Sequence, residues 1–133
     1  MATQAQYAAT PKLGSALLTT ADTSLTAPAT VGTVFTAGTS GSRIDYIEIQ
    51  AVATTIAGMV NLFVYDGATY ILWQQIPIVA VTASTTSQAF VANLSSNGNA
   101  NVMPLNIPTG YSLRATTSVA QTGIRVIAYG GDF

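Results

Sequence analysis

Asp66-Gly67 stands between two apolar runs, residues 59–65 and 70–76, and no other feature constrains the fold of this 133-residue chain as strongly. An Asp-Gly step supplies the positive φ that a tight hairpin turn demands, and the flanking residues are types that suit a pleated surface. The loop reads as either 66–67 or 66–69, and both lengths keep the same residues on each face. Val60, Leu62 and Val64 then share a side with Ile71 and Trp73. Asn61, Phe63 and Tyr65 share the other side with Tyr70 and Leu72. Just upstream, residues 46–51 alternate cleanly, with Ile47, Ile49 and Ala51 on one face and Tyr46, Glu48 and Gln50 on the other. Period two means a half-buried strand. No stretch of the chain carries a helical period.

A hairpin at the wet surface of a sheet is polar outside. This one is apolar on one side and aromatic on the other, so it is expected to be covered twice. The second cover is either the N-terminal segment or a neighbouring subunit. Composition favours the neighbour: charged residues are 7% of the chain, against about 25% in a typical soluble domain. With a formal net charge of −1, little repulsion opposes association. The basic residues Lys12, Arg43, Arg114 and Arg125 are scattered, so no phosphate-binding field is expected and no nucleic-acid partner. No apolar run approaches the ~20 residues of a membrane-spanning helix. The first residues carry neither a basic nor an apolar secretion-signal region, so synthesis in a cytoplasm is expected.

The remaining chain reads as short strands between turns. Residues 1–11 look like an arm, closed by Pro11, that either frays or orders on a neighbour through Tyr7. Strands are expected over 12–20, 32–37, 78–82, 88–93 and 101–107. Turns are expected at 38–41, 54–58, 84–87 and Asn97-Gly98, and Pro77 and Pro104 mark edges or bends. Residues 107–110 fit a type I turn with Pro108 second and Gly110 fourth. Residues 111–117 and 123–130 read as a last hairpin. Its loop is set at 118–122, because a shorter one would place Arg114 against Arg125. The terminal Phe133 is free to tuck into a groove. About eight to ten short strands with turns at this spacing predict an all-β, antiparallel β-sandwich or jelly roll. The domain spans 12–133 behind the arm at 1–11.

Catalytic material is thin. With no His and no Cys, the usual nucleophile pairs and zinc ligand sets are absent. The carboxylates are Asp22, Asp45, Glu48, Asp66 and Asp132. Asp45 and Glu48, three apart on a strand, are expected on opposite faces, which does not suit glycoside hydrolysis. Asp66 belongs to a turn, and Asp22 lacks the further oxygen ligands of a calcium loop. No enzyme, cofactor or metal is expected. Arg43 and Asp45 share a strand face as a surface ion pair or an inter-subunit contact. Trp73 faces away from Tyr65 and Tyr70, so a flat three-ring sugar platform is not expected. The candidate interface residues are Tyr7, Phe63, Tyr65, Tyr70, Leu72, Arg43 and Asp45.

The segments SRIDYIEIQA (42–51), TTIAGMVNLFVYDG (54–67), IPIVAVTAS (76–84), PTGYSLRATTS (108–118) and IRVIAYGGDF (124–133) resemble small virion structural proteins of tailed bacteriophages and prophages, of the capsid decoration (cement) type. The likeness runs in order from about residue 12 and is weakest over 85–104. These motifs are turns and strand cores, and they carry no catalytic residues over. The resemblance implies a β-sandwich, often a jelly roll, that binds the major capsid protein as a homo-oligomer, commonly a trimer. It implies a place on the capsid surface of the virion after synthesis in the host bacterium. The alternative is a tail, fibre or head-spike module that binds host glycans.

Overall fold

The computed structural model describes residues 10–94 and 104–133. Among them lie nine strands: β1 (Thr10–Leu18), β2 (Gly32–Thr36), β3 (Ser42–Ala51), β4 (Gly58–Tyr65), β5 (Tyr70–Ile78), β6 (Val91–Leu94), β7 (Leu105–Ile107), β8 (Ser112–Thr117) and β9 (Ile124–Asp132). No helix occurs among the described residues. One sheet has the order β1-β9-β3-β6, with β7 also on β3, and the other has the order β2-β8-β4-β5. Every ladder between these strands is antiparallel. The chain is therefore all-β, as its alternation requires.

The two sheets share one apolar core, built from the inward residues of each strand. Ile44, Ile47, Ile49, Ile124 and Val126 come from the five-stranded sheet, and Phe35, Val60, Leu62 and Leu113 from the other. Ile47, Ile49 and Ala51 are buried together, as their alternation predicts. Ile44 breaks that period yet also points inward. The register against β9 slips between Ile44 and Tyr46, and this bulge absorbs Asp45. The bulge brings the Arg43 carbonyl against Gly130, where a Cβ would lie 1.9 Å from that oxygen. Only glycine fits there. A second bulge in β2, between Thr33 and Phe35, turns Val34 and Phe35 inward together. There β1 meets β2 edge to edge: a Cβ on Gly14 would sit 2.0 Å from the Val34 carbonyl oxygen.

Several expectations change. β1 begins at Thr10, so Pro11 does not close an arm; it pairs with Gly131 inside an edge strand, where a missing donor is tolerated. Thr10 and Pro11 thus belong to β1, and the rest of the expected arm, residues 1–9, lies outside the described residues, as does the Asn97-Gly98 turn. The separate strand expected over 78–82 does not form. β5 ends at Ile78, and the chain leaves through a single bridge between Thr55 and Val81, braced by the Thr55 hydroxyl. The strand expected over 88–93 forms as β6 from Val91, and of that expected over 101–107 the described residues hold β7, while 101–103 lie outside them; β6 and β7 follow one another along the same edge of β3.

The turn before β8 is shifted by one residue. The Tyr111 amide donates to the Pro108 carbonyl, 3.2 Å, and Gly110 has φ +86°. Glycine at the third position with positive φ is the requirement of a type II turn, not type I.

The largest correction concerns the last hairpin. β8 and β9 do not pair; they lie in different sheets. A five-residue loop is long enough to cross the ~10 Å between packed sheets, so loop length alone cannot distinguish the two outcomes. The crossing is held by Gln121. Its side chain accepts from the Ile56 amide and donates to the Ile56 carbonyl, and its own amide donates to Thr19. Among the described residues, only β4 and β5 are consecutive strands joined as a hairpin within one sheet.

Candidate functional site

The β4–β5 hairpin builds the first candidate surface. Its loop is 66–69: the Asp66 carboxylate accepts from the amides of Ala68 and Thr69, at 2.9 and 2.7 Å, and Gly67 takes φ +99°. Those two bonds, the Thr69 amide first, hold the Asp66 pKa below the ordinary carboxylate value. The loop pins Tyr65 opposite Tyr70 and Phe63 opposite Leu72. Four expected interface residues thus share one side of the hairpin. Beyond them the register slips between Leu62 and Phe63. Trp73 falls at this bulge and packs, half-buried, against the core.

Phe63 is fully buried although it lies on the outer side of its sheet. Tyr70 meets its ring edge to face at 5.8 Å, and Tyr65 lies 4.3 Å from Tyr70. Arg114, on β8 beside β4, places its guanidinium 4.1 Å from the Tyr65 ring centre. It donates to the Tyr70 hydroxyl at 3.1 Å and to the Ser112 hydroxyl at 3.0 Å. Next to this cluster, Gln75 donates to the buried Asn61, whose own amide reaches Thr116. Arginine suits the place because its planar head stacks on aromatic rings while its stem covers apolar surface. The second cover of the hairpin therefore comes largely from within the domain. Sequence reasoning missed Arg114 because it placed β8 beside β9 rather than beside β4.

Arg43 and Asp45 are not part of this cluster. They form an ion pair, Nε to Oδ1 2.7 Å, at the bulge of β3 in the other sheet. Partial exposure makes such a pair weakly stabilising. The bulge also overturns the expectation that Asp45 and Glu48 point to opposite faces. Asp45 is exposed and Glu48 alternates outward from Ile47 and Ile49, so both end on the solvent side. Tyr7 lies outside the described residues.

The second surface was not expected: the outer face of the five-stranded sheet. Its cross-strand rows run Leu13–Tyr129–Tyr46, then Ser15–Ile127–Glu48–Asn93, then Leu17–Arg125–Gln50–Val91. Leu13, Leu17, Val91 and Tyr129 are 60%, 47%, 40% and 36% exposed. The rings of Tyr46 and Tyr129 lie 5.5 Å apart. A shallow groove of about 350 Å³ runs beside Pro11, Leu13 and Tyr129. The signal was present in the spacing of Leu13, Ser15 and Leu17. It passes for a plain apolar run because Ala16 and Leu18 fill the alternate positions.

One end of this sheet carries a polar clamp. Lys12 and Ser42 both bond the Asp132 carboxylate, Lys12 also reaches the Thr36 carbonyl, and the Gly38 amide donates to Ser42. The Ser42 hydroxyl is the main cause that lowers the Asp132 pKa, with Lys12 adding to it. Phe133 does tuck back: its amide donates to Gly41 and its ring approaches that glycine. At the other end, Asp22 accepts from the amides of Ser24, Ala29 and Thr30 and so shapes the β1–β2 connection. Four of the five carboxylates thus have a partner. Among the described residues no group of three or more acidic or metal-binding side chains converges. Comparison with protein-family models, with curated proteins and with solved structures finds no match.

Proposed function

We propose that this chain is a non-enzymatic virion structural protein, a capsid decoration (cement) protein that binds and stabilises a phage head as a homo-oligomer. The observation that carries this reading is the outer face of the five-stranded sheet, which leaves Leu13, Leu17, Val91 and Tyr129 exposed on a chain with few charges to keep copies apart. Contiguous exposed apolar faces mark interaction surfaces. Strand order supports a jelly-roll reading. The orders β1-β9-β3-β6 and β2-β8-β4-β5 place the first and last strands side by side, with connections that cross repeatedly between layers, as in two wound Greek keys. Such folds recur in viral capsid and lectin domains. The capsid as partner, and the trimer as the favoured oligomer, rest on the sequence resemblance.

The mechanism is mechanical. Each copy bridges neighbouring capsid subunits, and many weak contacts repeated over a shell give avidity. In the glycan-binding alternative Tyr65 and Tyr70 would stack on a sugar, but Arg114 and their mutual contact already occupy ring surface. The test pairs light scattering after size exclusion with co-sedimentation on shells of the phage or prophage that encodes the chain. An oligomer that sediments with shells is expected. A monomer at every concentration that stays in the supernatant overturns the proposal.

A further inference from the structure

Glu48 and Arg125 differ from the other charges of the described chain. Lys12 holds Asp132, Arg43 holds Asp45, Arg114 stacks on tyrosines, and Asp22 and Asp66 cap loops. Among the described residues, Glu48 and Arg125 make neither an ion pair nor a side-chain hydrogen bond. Both are half-exposed, and both lie on the outer face of the five-stranded sheet, as diagonal neighbours on β3 and β9. Around them stand Leu13, Leu17, Ile127, Tyr129 and Val91. Ser15, Gln50 and Asn93 complete the face, so it mixes apolar and neutral polar side chains around one negative and one positive charge that have no partner among the described residues.

We propose that this face pairs with the same face of a second copy about a two-fold axis, with Glu48 of each copy on Arg125 of the other. Charge complementarity selects the occupant. A two-fold axis in the plane of the face, midway between the two residues, exchanges their positions. Each charge of one copy then meets its opposite, and the contact is isologous and self-limiting. A partner bearing a single sign of charge would leave one of the two residues facing its like, which is unfavourable at an interface. The exposed leucines and tyrosines of the outer rows supply the apolar area, and the two ion pairs fix the register. The proposal rests on the homo-oligomer reading above and deepens it by naming the face. A two-fold contact joins copies in even numbers, so a trimer held by other surfaces would be linked here into pairs of trimers.

The experiment uses charge reversal on the full chain. E48R makes the face wholly positive and R125E makes it wholly negative, so each alone is expected to lose the contact and halve the mass seen by light scattering. Mixing the two variants sets a positive face against a negative one and restores both ion pairs, each with its sign exchanged or kept. The mixture is therefore expected to recover the wild-type mass. Recovery also shows that both variants are folded. Wild-type mass retained by both single variants overturns the assignment of this face and leaves the homo-oligomer reading standing. A wild-type mass of three copies does the same. Two variants that fall apart and do not recover on mixing also overturn it. A wild type that is a single copy at every concentration overturns both readings.

Discussion

Phe63→Ala tests whether the outer side of the four-stranded sheet is a second packed layer. Phe63 has 0% exposure, yet it lies outside the main core. Its cover is Tyr70, in edge-to-face contact at 5.8 Å, together with the strand neighbours Leu72 and Arg114. Truncation of a fully buried Phe costs about 3–5 kcal/mol. The lost aromatic pair accounts for about 0.5–1.5 kcal/mol of that. We expect a loss of about 4 kcal/mol. Ile71, one strand over, is the control: at 49% exposure, its truncation is expected to cost about 1 kcal/mol, near half of a buried aliphatic side chain. Urea unfolding followed by Trp73 fluorescence reads both, because the only Trp is half-buried on the core. With a slope of about 2 kcal/mol per molar, Phe63→Ala lowers the midpoint by about 2 M. All variants must be compared at one protein concentration, since assembly adds to apparent stability. A midpoint for Phe63→Ala no lower than that of Ile71→Ala would refute the second layer.

Three further outcomes follow from named contacts. Arg114→Ala removes a stacked cation and a hydrogen bond to Tyr70, an expected loss of about 1–2 kcal/mol; Arg114→Lys should recover little of it, because an ammonium lacks the planar face, and full recovery in urea melts would sink the stacking argument. Gly14→Ala forces a Cβ into the Val34 carbonyl oxygen and should loosen the β1–β2 edge by about 1–3 kcal/mol; amide exchange should rise in β1 first, and unchanged protection there would contradict the close approach. The folded Asp132 pKa lies below its ordinary 3.8, so its stabilising contribution is present above that pH and disappears as pH falls through the folded value. Asp132→Asn should therefore flatten the acid limb of the stability–pH curve, measured by thermal melts from about pH 6 downward, while an unchanged limb would assign the acid loss to Asp22 and Asp66.

The strand interiors and the β4–β5 hairpin were legible in the sequence because they are local. Alternation over 46–51 and Asp66-Gly67 each act within a few residues, and the four hairpin side chains meet as the pattern requires. The partnering of β8 was not legible. Its loop to β9 satisfies hairpin length, and nothing within 118–122 says that Gln121 will anchor on the 52–57 loop instead. The bulges were hidden for a related reason. Asp45, Val34 and Trp73 sit in ordinary strand sequence, and their extra residues are absorbed opposite glycine or against another element. The candidate site suffered most from this. Arg114 completes the aromatic cluster only from the correct sheet neighbour, and the outer face of the five-stranded sheet exists only once β1 is seen beside β9. The phage resemblance bears on the function and was silent on both.

The pairing of β1 with β9 also dictates when the molecule can fold. Thr10 lies opposite Asp132, so the first strand described has no partner until nearly the whole domain has been synthesised. Such long-range pairing is slow, because the entropy of closing large loops is lost before the contacts form. During translation, β1 must wait with Leu18, which the finished domain buries, still uncovered, and one edge of β3 must wait for β9 as well. The nascent chain is thus an open, apolar polypeptide that commits late and all at once. Expression yield should depend more on temperature and chaperone supply than on the stability of the finished domain.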